Sequence, residues 1–209
     1  MPTYIHTYFE IIKNISAKEP DIEIIANLIE QNVSLSYKLL KLVNTLGCGS
    51  QYKVNGIRQA IVLLGFIELK KWLCVLAVRE KDSSNGISGE VMKLCLVRAK
   101  ICEEVAKLLP VGFSLSGYFL TGMFSLMDRI LNLSMSEVLN QLPLDKEIED
   151  ALNGKRNDQR KVLDLVFAVE KVQWQTISAF CKGLMIKEKD VFNAYGESLN
   201  WAKQMIEEN

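Results

Sequence analysis

The chain has 209 residues, 49% of them hydrophobic, and sets 25 lysines and arginines against 25 aspartates and glutamates. A chain of this length buries roughly 70% of its unfolded surface, enough for one or two cores. The neutral balance supplies no field that would recruit nucleic acid or an anionic membrane, so binding has to come from shaped surface.

Helical periodicity dominates and predicts an all-α fold. Tyr4 to Lys13 forms a first helix. Pro20-Asp21 opens a second, with Ile22, Ile25, Ala26 and Ile29 on one face. Ser34 is the expected cap of a third, which carries Leu35, Leu39, Leu42, Val43 and Leu46 inward and stops at Gly47. Asn55 is the expected cap of a two-turn helix with Ile57, Ala60, Ile61 and Leu64 inward, closed by Gly65. Leu69, Trp72, Leu73 and Leu76 line a fifth, which is expected to end before a polar loop from Lys81 to Asn85.

That loop separates an N-terminal half, 1–80, from a C-terminal half, 86–209, of one domain, and its shortness implies that the halves pack together. A long helix follows from Gly89 to Leu109, ended by Pro110 and Gly112. Further helices are expected at Ser116 to Leu131, at Ser134 to Gln141 behind the capping box Ser134-x-x-Glu137, and at Asp145 to Leu152. The last three run from Gln159 to Lys171, Trp174 to Lys182 and Glu188 to Ile206, which makes a compact bundle of roughly ten to twelve helices.

The five cysteines, Cys48, Cys74, Cys95, Cys102 and Cys181, are odd in number and lack a CxxC pair. They read as reduced, buried thiols rather than a disulfide framework or zinc knuckle. With no basic apolar leader and no long uncharged stretch, a soluble cytoplasmic protein is expected, without cofactor or membrane partner.

Two blocks carry a family resemblance. QNVSLSYKLLKLVN and IRQAIVLLGFIELKKW in the first third are similar to D-P-x-L-S-x-x-L-L-x-x-x-N and I-x-x-A-I-x-x-L-G-x-x-x-L-x-x-W. RAKICEEVAKLL from Arg98, FLTGMFSLMDRIL from Phe119, LDKEIEDALNG and VEKVQW ending at Trp174 follow in order. On these the chain resembles the HDOD family, a non-enzymatic offshoot of the HD metal-dependent phosphohydrolases in bacterial signalling proteins. The resemblance spans Tyr4 to about Ile177. The second block is similar to the subgroup in which HDOD follows an EAL-type cyclic-di-GMP phosphodiesterase domain. Asn32 and Val33 stand where Asp-Pro is usual, a change expected to loosen the start of that helix.

An HD phosphohydrolase needs histidines and aspartates converging on metal, because those ligands hold the cation and lower the pKa of its bound water. The chain has one histidine, His6, outside both blocks, and it reads as a terminal surface residue. The segment matching the relatives' G-x-x-H-D is Gly122-Met123-Phe124-Ser125-Leu126, so Ser125 and Leu126 take the ligand positions, and neither replaces a hard-cation ligand. Ser125 has no base histidine beside it and no G-x-S-x-G context to make it a nucleophile. No catalytic or metal-binding residue is expected.

Two charges interrupt apolar stripes. Val91, Cys95, Arg98, Cys102, Val105 and Leu109 repeat at helical spacing with Arg98 in the middle; Leu163, Phe167, Glu170 and Trp174 do the same around Glu170. Either Arg98 and Glu170 pair, wholly or partly buried, or each side chain reaches a wet rim. Trp72 and Trp174 both read as core. Trp201 sits on a last helix whose Tyr195, Leu199, Ala202 and Met205 dock on its own domain or a partner.

The function the resemblance implies is a non-catalytic signal-transduction output or adaptor domain, acting on a protein partner or on an EAL-type domain of its parent chain and linked to cyclic-di-GMP signalling. Candidate contacts are Tyr37, Lys38, Lys41 and Asn44, and Glu68, Lys70 and Lys71; the plain alternative for each is a solvated helix face. The alternatives are a residual metal-dependent phosphohydrolase or nucleotide-binding HD relative, and a DNA-binding helical regulator resting on the Gly65 turn and Lys70-Lys71, against which the neutral charge argues.

Overall fold

The computed structural model describes the backbone of residues 3–45, 54–85, 89–110, 115–131, 133–141 and 144–207, and side chains over 6–45, 54–77, 89–110, 115–130, 133–140 and 144–206. The described residues form 13 α-helices and no strand. The expected helix stops at Gly47 and Gly112, and Leu46 and Cys48, lie outside them. The chain divides into two compact units, one of Met1–Ala77 with Gln141–Pro143, the other of Val78–Asn140 with Leu144–Asn209.

In the first unit α1 (Thr3–Ile15), α2 (Ile22–Glu30), α3 (Val33–Thr45), α4 (Ile57–Leu64) and the start of α5 (Phe66–Asn85) follow one another. Asp21 caps α2, its carboxylate accepting from the Glu23 and Ile24 N–H groups at 2.8 and 3.4 Å. For α3 the cap is Asn32, whose Oδ1 accepts from Leu35 N at 3.0 Å, and the expected cap Ser34 lies inside the first turn. Asparagine caps as well as aspartate, so the change at Asn32 leaves this helix start supported rather than loosened. The expected cap Asn55 is likewise displaced: Gly56 holds the N-cap of α4 without a side-chain bond. Gly65 closes α4 at φ 79°, where a side chain would be strained. Ile12, Ile25, Ile29, Leu35, Leu39 and Ile61, each at most 1% exposed, form the core of this unit.

The predicted loop from Lys81 to Asn85 is helical, the last turn of α5. No glycine or proline lies between Phe66 and Asn85, and propagation adds a hydrogen bond for every residue fixed, so polar composition alone does not stop the helix.

The second unit is built on α6 (Gly89–Lys107), which packs on α7 (Leu115–Phe124), α11 (Asp158–Glu170) and α13 (Glu188–Glu207). α6 is buried almost all round from Cys95 to Cys102, as a central helix must be. α8 (Met127–Leu131), α9 (Met135–Gln141), α10 (Lys146–Leu152) and α12 (Trp174–Leu184) complete it. The capping box of α9 is formed: Glu137 accepts from Ser134 N at 2.8 Å and Ser134 Oγ accepts from Glu137 N at 3.3 Å. The Ser134 hydroxyl also donates to Glu137 Oε2 at 2.6 Å, and it and the Ser134 N–H hold the Glu137 carboxyl below its ordinary pKa, the hydroxyl contributing most.

The helix expected from Ser116 to Leu131 breaks at Ser125-Leu126 into α7 and α8, so the described residues form thirteen helices against an expectation of roughly ten to twelve. α13 docks on α6 through Val191, Ala194, Ser198 and Ala202, leaving Tyr195 and Leu199 at the edge of the face rather than its centre. Trp201 meets the Phe119 ring edge-on at 6.1 Å, and Lys100 lies 5.7 Å over its face. Among the described residues no helix is long and apolar enough to cross a membrane.

Candidate functional site

The break between α7 and α8 lies beside Arg98, a buried charge of the second unit. It begins at Gly122. A Cβ there would lie 2.2 Å from the carbonyl oxygen of Arg98 and 2.8 Å from the Cα of Ala99, so only glycine lets α7 approach α6 this closely. The approach lays Ser125 beside the Arg98 side chain. Ser125 Oγ donates to Gly122 O at 2.7 Å and accepts from Arg98 Nη1 at 3.2 Å. A hydroxyl bonded back to its own helix turn competes with the backbone ladder, and the helix ends at this residue.

The structure brings Arg98 and Glu170 together in a two-pronged pair: Nε donates to Oε1 and Nη2 to Oε2, both at 2.8 Å. Only 11% and 14% of the two side chains are exposed. Planar guanidinium and carboxylate match in this geometry, and with Ser125 on Nη1 all three nitrogens of the fork are used. The cation also lies 4.7 Å over the Phe167 ring, with the Arg160 guanidinium 6.0 Å from the same ring. Arg160 is itself tethered, donating to Asp164 Oδ1 at 2.9 Å and to Ala151 O at 3.2 Å.

Leu126 is buried at 4% exposure. Two buried thiols lie on the same helix as Arg98. Burial pushes Cys95 up to about 12, against the lowering effect of Arg98, with Glu170 and Asp128 adding to the rise. Burial likewise raises Cys102. A thiol held protonated is a weak nucleophile. Among the described residues no three of His, Cys, Asp and Glu converge in a way that could hold a metal ion.

A sequence profile for the HDOD domain matches residues 1–147. The chain belongs to the HDOD family. It is 34% identical over 208 residues to the Bacillus subtilis protein YuxH, covering 99% of this chain and 50% of that one. It is 31% identical over 196 residues to the cyclic di-GMP phosphodiesterase CdgJ of Vibrio cholerae, covering 94% and 45%. The chain thus spans about half the length of these relatives. No solved structure matches it.

On this HDOD chain the other expected contact residues lie on α3 and α5. Tyr37 is 65% exposed and Lys41 is exposed, whereas Lys38 is half-buried. Asn44 is committed to the fold: its Nδ2 donates to Val54 O at 3.0 Å and its Oδ1 accepts from Val54 N at 2.8 Å. Lys71 donates to Glu68 at 2.9 Å with its own side chain only 11% exposed, and Lys70 is half-buried. The exposed apolar residues Ile24, Val62 and Ile67 on this HDOD unit were not singled out in the sequence, because each fits the edge of a helical stripe.

Trp174, expected in the core, is 60% exposed, and Trp72 is half-buried. The reason lies in the chain between α11 and α12. Lys171 and Val172 leave the helix through a tight turn, so Trp174 opens a new helix instead of continuing the Leu163-Phe167-Glu170 stripe.

Proposed function

We propose that this HDOD chain is a non-catalytic output domain of cyclic-di-GMP signalling, acting through protein–protein or interdomain contacts. The observation that supports it is the Arg98–Glu170 pair bonded to Ser125. Where the resemblance implies that active HD relatives place a His-Asp pair, this chain places a hydroxyl serving a guanidinium and a buried leucine. The Arg98 guanidinium already holds the Glu170 carboxylate and the Ser125 hydroxyl, and its positive charge disfavours a second cation there. That the relative CdgJ is a cyclic di-GMP phosphodiesterase supports the signalling context, and the greater length of both relatives leaves room for a partner domain, which the resemblance makes one of EAL type.

Two measurements test the reading together. Purified chain incubated with manganese, iron or zinc is expected to hold no stoichiometric metal and to leave bis(p-nitrophenyl) phosphate intact; chelator-sensitive turnover would refute the non-catalytic part. Cyclic-di-GMP hydrolysis by an EAL-type phosphodiesterase domain is then measured alone, with this chain added, and with it fused. The expected result is a changed rate in the fused protein. An unchanged rate together with no binding would refute the output role.

A further inference from the structure

Among the described residues two other than glycine hold the left-handed conformation, Val172 at φ 54° and Met185 at φ 57°. Each follows the end of a helix in a paired-bond turn. Val172 N donates to Val169 O and Gln173 N to Ala168 O; Met185 N donates to Lys182 O and Ile186 N to Cys181 O. Glycine is the usual residue at such a position, and a β-branched side chain is the least suited to it. The strain is not offset by burial, since Val172 is 58% and Met185 78% exposed. Unfavourable backbone combined with exposed apolar side chain points to a use outside the unit's own packing.

The two turns bracket α12, and its first residue, Trp174, is also exposed, steadied against Phe192 with ring centroids 5.5 Å apart. Between the outer face of α12 and the turn at Met185 runs an open groove of about 1010 Å³, lined by Ser178, Ala179, Lys182, Met185 and Lys187 among others. Its lining carries two lysines, Lys182 and Lys187, both exposed and, among the described residues, without an ion pair, against one carboxylate, Glu188, which accepts from Ser178 Oγ at 2.5 Å. Lys171, beside Val172 at the other end of α12, is likewise exposed and without an ion pair among the described residues.

We propose that this groove docks an acidic, amphipathic segment of a partner protein, with an apolar residue meeting Met185, carboxylates meeting Lys182 and Lys187, and the segment's far end reaching Trp174, Val172 and Lys171 at the opposite end of α12. A concave, helix-edged surface suits an inserted segment better than a flat bilayer. The groove lies beyond residue 147, outside the stretch the family profile matches, and the proposal rests on the output-domain reading by naming the kind of partner one of its contacts would take; its own test reads binding at the groove, independently of the metal and phosphodiesterase measurements.

The test is NMR on the full chain with methyl-labelled methionine, the Met185 signal assigned through Met185→Leu. The probes are a synthetic helix with leucines on one face and glutamates on its flanks, the same helix with lysines for glutamates, and phosphatidylglycerol vesicles. Saturable shifts at Met185 and the Trp174 indole with the glutamate helix alone are expected, and Lys182→Glu with Lys187→Glu should weaken them about ten-fold while melting is unchanged. No response, an equal response to both helices, or a stronger response to the vesicles would overturn the proposal.

Discussion

Removing one member of the Arg98–Glu170 pair leaves the other charge buried without its partner. In Arg98→Leu the Glu170 carboxylate, with a side chain only 14% exposed, loses both of its 2.8 Å donors. In Glu170→Leu the guanidinium keeps Ser125 at 3.2 Å and the Phe167 face but no counter-charge. Each single change is expected to cost about 3–5 kcal/mol, the range for breaking a buried pair. For a chain of this size that corresponds to a fall in melting temperature on the order of 10 °C. The double variant Arg98→Leu/Glu170→Leu removes both desolvation penalties and adds apolar surface, so it should lie within about 1–2 kcal/mol of the parent. Urea unfolding followed by helical circular dichroism reads all four corners of the cycle, with the m-value compared across them. If the two single changes each cost under about 1 kcal/mol and simply add, the pair is not coupled and the reasoning about its burial is wrong.

Gly122→Ala places a methyl 2.2 Å from the Arg98 carbonyl oxygen, so backbone has to move; a loss of about 3 kcal/mol or more, or no soluble protein, is expected, and a melting temperature equal to the parent's would refute the close packing of α6 and α7. Val172→Gly relieves a left-handed β-branched residue and should stabilise by roughly 0.5–1 kcal/mol in the same urea assay, whereas destabilisation would show that the valine packs against something. Burial pushes the Glu104 carboxyl up, but its hydrogen bonds with Lys100 and Lys107 outweigh this and hold its pKa below the ordinary 4.5. Its contribution to stability is therefore present above pH 4.5 and lost as pH falls through the lower folded value. Glu104→Gln should flatten that part of the acid unfolding curve, and an unchanged curve would remove Glu104 from the account.

The helices were legible because almost every one carries its own stripe and its own stop. Asp21, Gly65 and the Ser134–Glu137 box act within one turn of the residues they govern, so local sequence suffices to place them. What was not legible depends on non-local packing. The break at Ser125 follows from Gly122 meeting the backbone of Arg98, a contact across more than twenty positions that periodicity does not encode. The Arg98–Glu170 pair left its trace as two charges interrupting two stripes, enough to pose the alternatives but not to choose between them. Trp174 went astray because the stripe was counted through a turn, and the αL residue there is a valine rather than the glycine that marks such turns. Asn32 and Ser34 are both acceptable caps, and only the bond to Leu35 distinguishes them.

Asn44 grips both backbone groups of Val54 with one side-chain amide, as a neighbouring strand would. The end of α3 and the residue that leads into α4 are thus tied through one side chain, so a change at Asn44 removes a donor and an acceptor from Val54 in the same stroke and loosens the coupling of two helices while leaving the core beneath them in place.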